Sequence, residues 1–280
     1  MSYLLTRSGG PPMTSGRITA LAIGVPVAAA LIVLTSFSLL SSVARASFPV
    51  SHSFPVSHGR VTARIEGDIM LRQAAVRRAE LKGIVHYGLF RPTLTESSGT
   101  VSLSCGYVSN CSLDGTLEVP QNTAVSLSSV GGDVSLGNYA SDRNLTVRSD
   151  GGNVSAGHLT GGLVSLSSSG GDVSADAMDV TRTLQLTSDG GNVSAGAVIA
   201  PAATVTSVGG DVSMTFMQQP GSLSISSWGG NVSLVLPPGD YDFNVTSDGG
   251  NAIFPTSDPG AANKITVHSA GGDVTVTEAN

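Results

Sequence analysis

The 280-residue chain carries 14 Lys and Arg against 20 Asp and Glu, a net charge of −6, with 35 Gly and two Cys. Residues 1–114 hold ten of the basic groups and five of the acidic ones, and residues 115–280 hold four and fifteen. So acidic a C-terminal part argues against nucleic acid as a partner, because that binding needs a basic footprint.

In chain order, Arg7 and Arg17 precede an uncharged run that ends at Arg45. Residues 18–43 are mostly apolar, include Ala-Leu-Ile-Val-Leu at 30–34, and exceed the ~20 residues that cross a bilayer as a helix. The basic residues ahead of this transmembrane helix orient residues 1–17 to the cytoplasm and the rest of the chain outside the cell membrane. The rival reading is a signal peptide cut at Ala44-Arg45-Ala46, giving a protein secreted after cleavage at Ala46. Both readings export residues 47–280.

Residues 44–59 carry Ser-Phe-Pro-Val-Ser-His twice, at 47–52 and 53–58. The prolines favour an extended linker over a helix, and His52 and His58 read as exposed linker residues, not metal ligands. Residues 60–128 are less regular. Strand patterns over 61–69, 79–87, 101–104 and 117–119 suggest degenerate first coils that cap a repeat array. Seven basic residues fall between Arg60 and Arg91, either as a plain solvated face or as a screened attraction for anionic headgroups and wall polymers. Cys105 and Cys111, six apart in an exported chain, read as a structural disulfide.

From Ser129 onward the chain writes Ser-x-Gly-Gly-(Asp/Asn)-(Val/Ala) eight times, every 19 to 22 residues. Before each Gly-Gly, apolar residues alternate with polar ones, as at Val125/Leu127, Leu145/Val147 and Val164/Leu166, and the alternation resumes afterwards. Period two with one buried face is a strand. A third apolar site follows at Tyr139, Leu159, Met178, Val198 and Met217. Copies at a period near twenty are units that complete their core by stacking. The expected fold is therefore all-β, a single-stranded parallel β-solenoid of about eight 20-residue coils over 129–280, preceded by the N-terminal transmembrane helix.

The recurring corner residues are Ser129, Gly131, Gly132 and Asp133; Ser149, Gly151, Gly152 and Asn153; Gly170, Gly171 and Asp172 after Ser168; and Gly190, Gly191 and Asn192 after Ser188. They continue as Gly209, Gly210 and Asp211 after Ser207; Gly229, Gly230 and Asn231 after Ser227; Gly249, Gly250 and Asn251 after Ser247; and Gly271, Gly272 and Asp273 after Ser269. The serines face inward by period two, so each hydroxyl requires a partner, which a ladder to neighbouring backbone supplies. The glycines suit positive φ. Where the residue after the glycines is Asn, the one before them is usually Asp, as at Asp150, Asp189 and Asp248. Staggered carboxylates relieve repulsion between stacked copies. A zigzag of Ca²⁺ ligands is the rival reading, but the denser Gly-Gly-x-Gly-x-Asp nonapeptide of calcium-binding rolls does not occur, so no metal or cofactor is assigned.

These features together resemble a bacterial family known as "putative adhesins", membrane-anchored domains of unknown function with β-strand repeats. The resemblance is carried by the short basic N-terminus, one membrane span and Ser-Phe-Pro before the first strand. Gly67-Asp68-Ile69, the segment from Cys105 to Thr116-Leu117-Glu118-Val119-Pro120 and the repeated Gly-Asp-Val corners carry it further. It implies a surface β-solenoid and supplies no catalytic residue.

Three functions are compatible with the sequence. The first is a non-enzymatic cell-surface scaffold or adhesin-type module that binds a cell-wall polymer, glycan or protein. The second is a polysaccharide-acting β-helix enzyme, for which Asp176, Asp179 and Arg182 form the single suggestive cluster. The third is an envelope sensor ectodomain, with Trp228, Phe216, Tyr241 and Phe254 as a contact patch. The last repeat, Gly271 to Thr277, ends just before the chain does, so an open edge and end-to-end self-association are expected there.

Overall fold

The computed structural model describes residues 26–27, 46–88, 90–105 and 110–279. The transmembrane reading of residues 18–43 falls outside these, apart from Pro26 and Val27, and no helix among the described residues is long and apolar enough to cross a membrane. The described fold is all-β. Its first strands are β1 Ala46–Phe54, β2 Arg60–Glu66, β3 Ile69–Ala74, β4 Ala79–Tyr87, β5 Thr93–Ser97, β6 Thr100–Ser104 and β7 Cys111–Pro120. The repeats supply β8 Ala124–Val130, β9 Val134–Leu136, β10 Tyr139–Ala140, β11 Leu145–Ser149, β12 Val154–Ser168, β13 Val173–Ser188, β14 Val193–Ile199 and β15 Ala202–Ser207. They end with β16 Val212–Phe216, β17 Ser222–Ser227, β18 Val232–Leu236, β19 Tyr241–Ser247, β20 Ala252–Ile253, β21 Asn263–Ser269 and β22 Val274–Glu278.

Two parallel ladders meet at the Gly-Gly corners. Before the corners, β2, β8, β11 and the C-terminal halves of β12 and β13 stack in register, followed by β15 and β17. After the corners, β3, β9, the N-terminal halves of β12 and β13, β14, β16 and β18 do the same. Equivalent residues face one another across neighbours, so Val125, Leu145, Val164, Leu184, Ala203 and Leu223 form one buried column. Each fully buried side chain of this size contributes roughly 1.5–3 kcal/mol. No single repeat encloses such a column by itself, which is why the array needs its neighbours.

The third apolar site follows the sequence pattern at Tyr139, Leu159, Met178 and Val198, all buried. It departs at Met217, which is 59% exposed. The ladder shifts register between Ala195 and Val198, and Phe216 takes the buried place beside Val198.

Sequence order and spatial order part at the C-terminal end. Strand β17 pairs with β21, and β21 pairs on its other edge with β19; likewise β18 pairs with β22, and β22 with β20. The last repeat is therefore inserted between its two predecessors. Its strands have neighbours on both sides, so the open edge expected at Gly271 to Thr277 lies instead on β19, in the repeat before it.

The opposite end is closed by antiparallel strands. β7 runs parallel to β3 and antiparallel to β4, β4 pairs antiparallel with β1, and β5 pairs with β6, which joins β2. Residues 44–59, expected as a spacer, thus include β1, whose nine residues pair with β4 from Ala46↔Tyr87 to Phe54↔Ala79. Phe54 is fully buried and Phe48 and Val50 pack against the core. Phe48, Val50, His52 and Phe54 alternate with exposed Ser47, Pro49, Ser51 and Ser53, a strand face that the prolines hid. Cys105 and Cys111 form a disulfide with Cα atoms 5.7 Å apart, tying β7 to the end of β6.

Candidate functional site

At six of the eight corners the inward serine hydroxyl accepts from the backbone three residues on and donates to a neighbouring repeat, Ser129 and Ser227 keeping part of the pattern. Ser188 Oγ accepts Gly191 N–H at 2.8 Å and donates to Gly171 O at 2.9 Å. Ser149 and Ser168 repeat the pattern, donating to Gly132 O and Gly152 O. Ser207 Oγ reaches both Gly191 O and Gly210 O, and Ser227 and Ser269 share Gly230 O. The seven serines of the inner repeats are essentially inaccessible, whereas Ser247, in the outermost repeat, is half-buried. Buried hydroxyls with complete partners fix the turn and cost nothing in unmet hydrogen bonds.

The corner glycines serve close approach more than positive φ. Of the Gly-Gly residues, Gly131 alone has a positive φ, +81°. At the second glycine of each pair a Cβ would meet the stacked corner: at Gly152 it would lie 2.4 Å from Gly132 C, at Gly210 2.5 Å from Gly191 C, and at Gly230 2.4 Å from Gly210 O. The neighbouring backbone occupies the place of the side chain.

Outside the serines runs a second ladder of Asp and Asn. Asp68 Oδ1 accepts Asp133 N–H, Asp133 Oδ1 accepts Asn153 N–H, and the chain of acceptors passes through Asp172, Asn192, Asp211 and Asn231. It then goes to Asp273 and ends on Asn251. Amides donating to Asp133, Asp172, Asp211 or Asp273 do so at 2.7 Å, and those donating to Asp68, Asn153, Asn192 or Asn231 at 2.8–2.9 Å. From Asp133 outward, Asp and Asn alternate strictly in space.

The first rung was not visible as a repeat. Glu66-Gly67-Asp68 has one glycine, and Ile65 stands opposite Ser129 where the repeats place serine. Yet Ser129 Oγ donates to Gly67 O, and a Cβ on Gly132 would lie 2.1 Å from Gly67 C. The signal available was the Gly-Asp-Ile triplet alone.

Beside the Asp/Asn ladder, the outward residue of seven of the eight following strands is a hydroxyl: Ser135, Ser155, Ser174, Ser194, Ser213, Ser233 and Thr275 stand in register, and β20 sets Ile253 beside Thr275. With Asp133, Asn153, Asp172 and Asn192, the first four of these line a shallow groove of about 460 Å³. Its rungs recur every ~4.8 Å, the spacing of hydrogen-bonded strands, and its carboxylates every second rung.

The residues before the glycines form a further row. Neighbours in space are Asp189, Val208, Trp228, Ala270 and Asp248, with Trp228 65% and Val208 45% exposed. The expected patch of Trp228 with Phe216, Tyr241 and Phe254 does not assemble: Phe216 and Tyr241 are core residues, and Phe254 packs on Phe243 with ring centroids 5.8 Å apart. Asp176, Asp179 and Arg182 are all exposed on β13. Arg182 turns from the two acids and donates to Asn144 Oδ1 at 2.5 Å. His52 contacts Glu96 at 2.6 Å. Among the described residues, the one group of three potential metal ligands is Glu66 with Cys105 and Cys111, whose sulfurs are joined to each other and so are not thiolates.

Two tyrosines have displaced ionisation. Burial pushes Tyr139 up to about 12, against smaller opposing effects of Ser141 and Arg143, and its hydroxyl donates to Thr123 O. Tyr241 is raised, first by burial and then by Glu278, and donates to Pro237 O at 2.8 Å. Both close turns and neither faces a cavity with a second titrating group.

The model of the Toastrack DUF4097 family matches residues 91–277. No curated protein matches the chain. Among solved structures, one described as a "putative adhesin" from Bacteroides fragilis aligns with a TM-score of 0.51 at 19% identity, covering 82% of this chain and 97% of its own. A second "putative adhesin", from Parabacteroides merdae, aligns at 0.49 and 9% identity, covering 85% and 97%. A "putative lipid binding protein" from Parabacteroides distasonis aligns at 0.47 and 14%, covering 83% and 97%. The likeness to the first is one of fold.

Proposed function

Because this chain belongs to the Toastrack DUF4097 family, we propose that it is a non-catalytic, adhesin-type surface module whose stacked repeats form a rigid β-solenoid. The observation that carries this reading is the double ladder at the corners. Its Asp, Asn and Ser side chains are committed as acceptors and donors to the next repeat, so the corner chemistry maintains a regular surface. That surface offers hydroxyls, carboxamides and carboxylates at fixed spacing, suited to a cell-wall polymer, glycan or protein partner. Export is supported by the Cys105–Cys111 disulfide, which belongs to an oxidising compartment. In this reading residues 18–43 anchor the chain, and the end bearing β1 and β4 stands nearest the membrane.

The test is binding of the full chain, in neutral detergent, to intact cells and to a glycan array, with and without Ca²⁺. Saturable binding that withstands chelation is expected. Turnover of a polysaccharide that is lost on Asp179→Asn would overturn the non-catalytic reading.

A further inference from the structure

The open edge of the array lies on β19, and its backbone is only partly satisfied. One edge of this strand pairs with β21. On the other, Phe243 N–H donates to Ser257 Oγ at 2.9 Å and Tyr241 O accepts Asp258 N–H at 2.9 Å. The loop after β20 thus closes the edge as far as Phe243. Along a strand, alternate residues turn their N–H and C=O to the same side, so Val245 aims both groups at this open side, beyond the reach of that loop. Val245 itself is half-buried against the core, and Phe254, packed on Phe243 of the same strand, is 39% exposed.

Charge at this tip is mainly negative. Residues 237–262 contain Asp240, Asp242, Asp248 and Asp258 and neither Lys nor Arg. Asp242 is paired with Lys264 at 2.6 Å, but Asp248 has only His268, at 3.9 Å. Unpaired edges recruit strands, and strand addition takes affinity from backbone bonds and selectivity from alternate side chains.

We propose that the tip edge of β19 takes up an extended strand of a partner protein in which apolar residues alternate with basic ones. The apolar residues cover Val245 and Phe254 while the basic ones answer Asp248 and its neighbours. This site is separate from the groove on the repeat face and does not depend on what that groove binds. A second copy joined tip to tip is a poorer occupant, because it brings an equally acidic tip to the contact.

The experiment titrates the full chain, in neutral detergent, with a capped seven-residue peptide alternating Lys and Val. Two control peptides replace every Lys by Glu, or the central Val by Pro, which removes a backbone donor. Saturable binding of the Lys/Val peptide is expected, weakening as salt is raised. Both controls, and the variants Asp248→Lys and Phe254→Lys, should bind at least about tenfold less tightly, with the strand signature in circular dichroism unchanged. Absence of saturable binding overturns the proposal. Equal binding of the Pro peptide overturns it too, since attraction without strand pairing would then suffice. So does a dimer in sedimentation that Phe254→Lys dissociates, which would put a second copy on the edge.

Discussion

Asp273 Oδ1 accepts the backbone N–H of Asn251 at 2.7 Å, although Asp273 comes 22 residues later in the chain. That bond exists because the last repeat is inserted ahead of its predecessor. In sequence the corner residues end Asn231, Asn251, Asp273, an apparent lapse in alternation; in space they end Asn231, Asp273, Asn251 and the alternation is whole. Charge spacing between stacked neighbours therefore follows contact, not chain order.

If alternation relieves repulsion, adding a carboxylate should cost stability. Asn153 lies between Asp133 and Asp172, so Asn153→Asp makes three adjacent carboxylates. We expect a loss of about 1–2 kcal/mol at low ionic strength, shrinking as salt is added. Urea midpoints at two salt concentrations measure it, and a salt-independent loss would mean that geometry, not charge, sets the pattern.

The two kinds of corner glycine should respond differently to alanine. At Gly171 a Cβ would lie 2.8 Å from Asn153 N and from Gly152 C, and overpacking of this kind costs about 2–3 kcal/mol. At Gly131 nothing lies within 4 Å and the cost is that of a positive φ alone, about 1 kcal/mol. Thermal unfolding of the two variants should place Gly171→Ala clearly below Gly131→Ala.

Ser188→Ala strands Gly171 C=O and Gly191 N–H in a buried corner, a loss of about 1–3 kcal/mol. Ser247→Ala removes the equivalent bonds where water has access, and should cost less than about 1 kcal/mol. Equal losses in urea denaturation would show that burial does not control the hydroxyl ladder.

Tyr139 gives the fold an alkaline limit. Its ionisation is raised to about 12 in the folded chain and stands near 10 when unfolded. Below pH ~10 both states hold the proton and stability is full. As pH rises from about 10 towards 12 the unfolded state loses its proton first, so stability falls, by on the order of 2 kcal/mol. Tyr139→Phe should flatten that part of the profile relative to the parent chain, as read from urea midpoints at stepped pH.

Much of this architecture was legible because the repeats speak in period two. The columns through Leu127, Val147 and Leu166, the inward serines and the corner itself follow from alternation and from the need of a buried hydroxyl for a partner. Repeat order was not legible, since any copy fits beside any other through the same serine and Asx bonds. The lapse at Asn231–Asn251 and the 22-residue spacing before Gly271 were its traces. Strand β1 was missed because Pro49 and Pro55 read as a spacer, whereas an edge strand tolerates proline. Met217 was misplaced because a register shift puts Phe216 inside. The groove could not be foreseen as a cavity, since it arises between side chains of four repeats.

The inserted last repeat also bears on how the protein is made. Growth of an array by adding each unit to the one before would let it fold as it leaves the ribosome, N-terminal part first. Here β19 cannot take its native place until β21 has been synthesised, because β21 is its sole ladder partner among the named strands. A nascent chain stopped before Asn263 lacks the native neighbour of both β17 and β19, and the two edges can pair with each other out of order. The native tip therefore forms only after Asn263–Ser269 has emerged, and a chain stopped earlier carries strand edges open to mispairing.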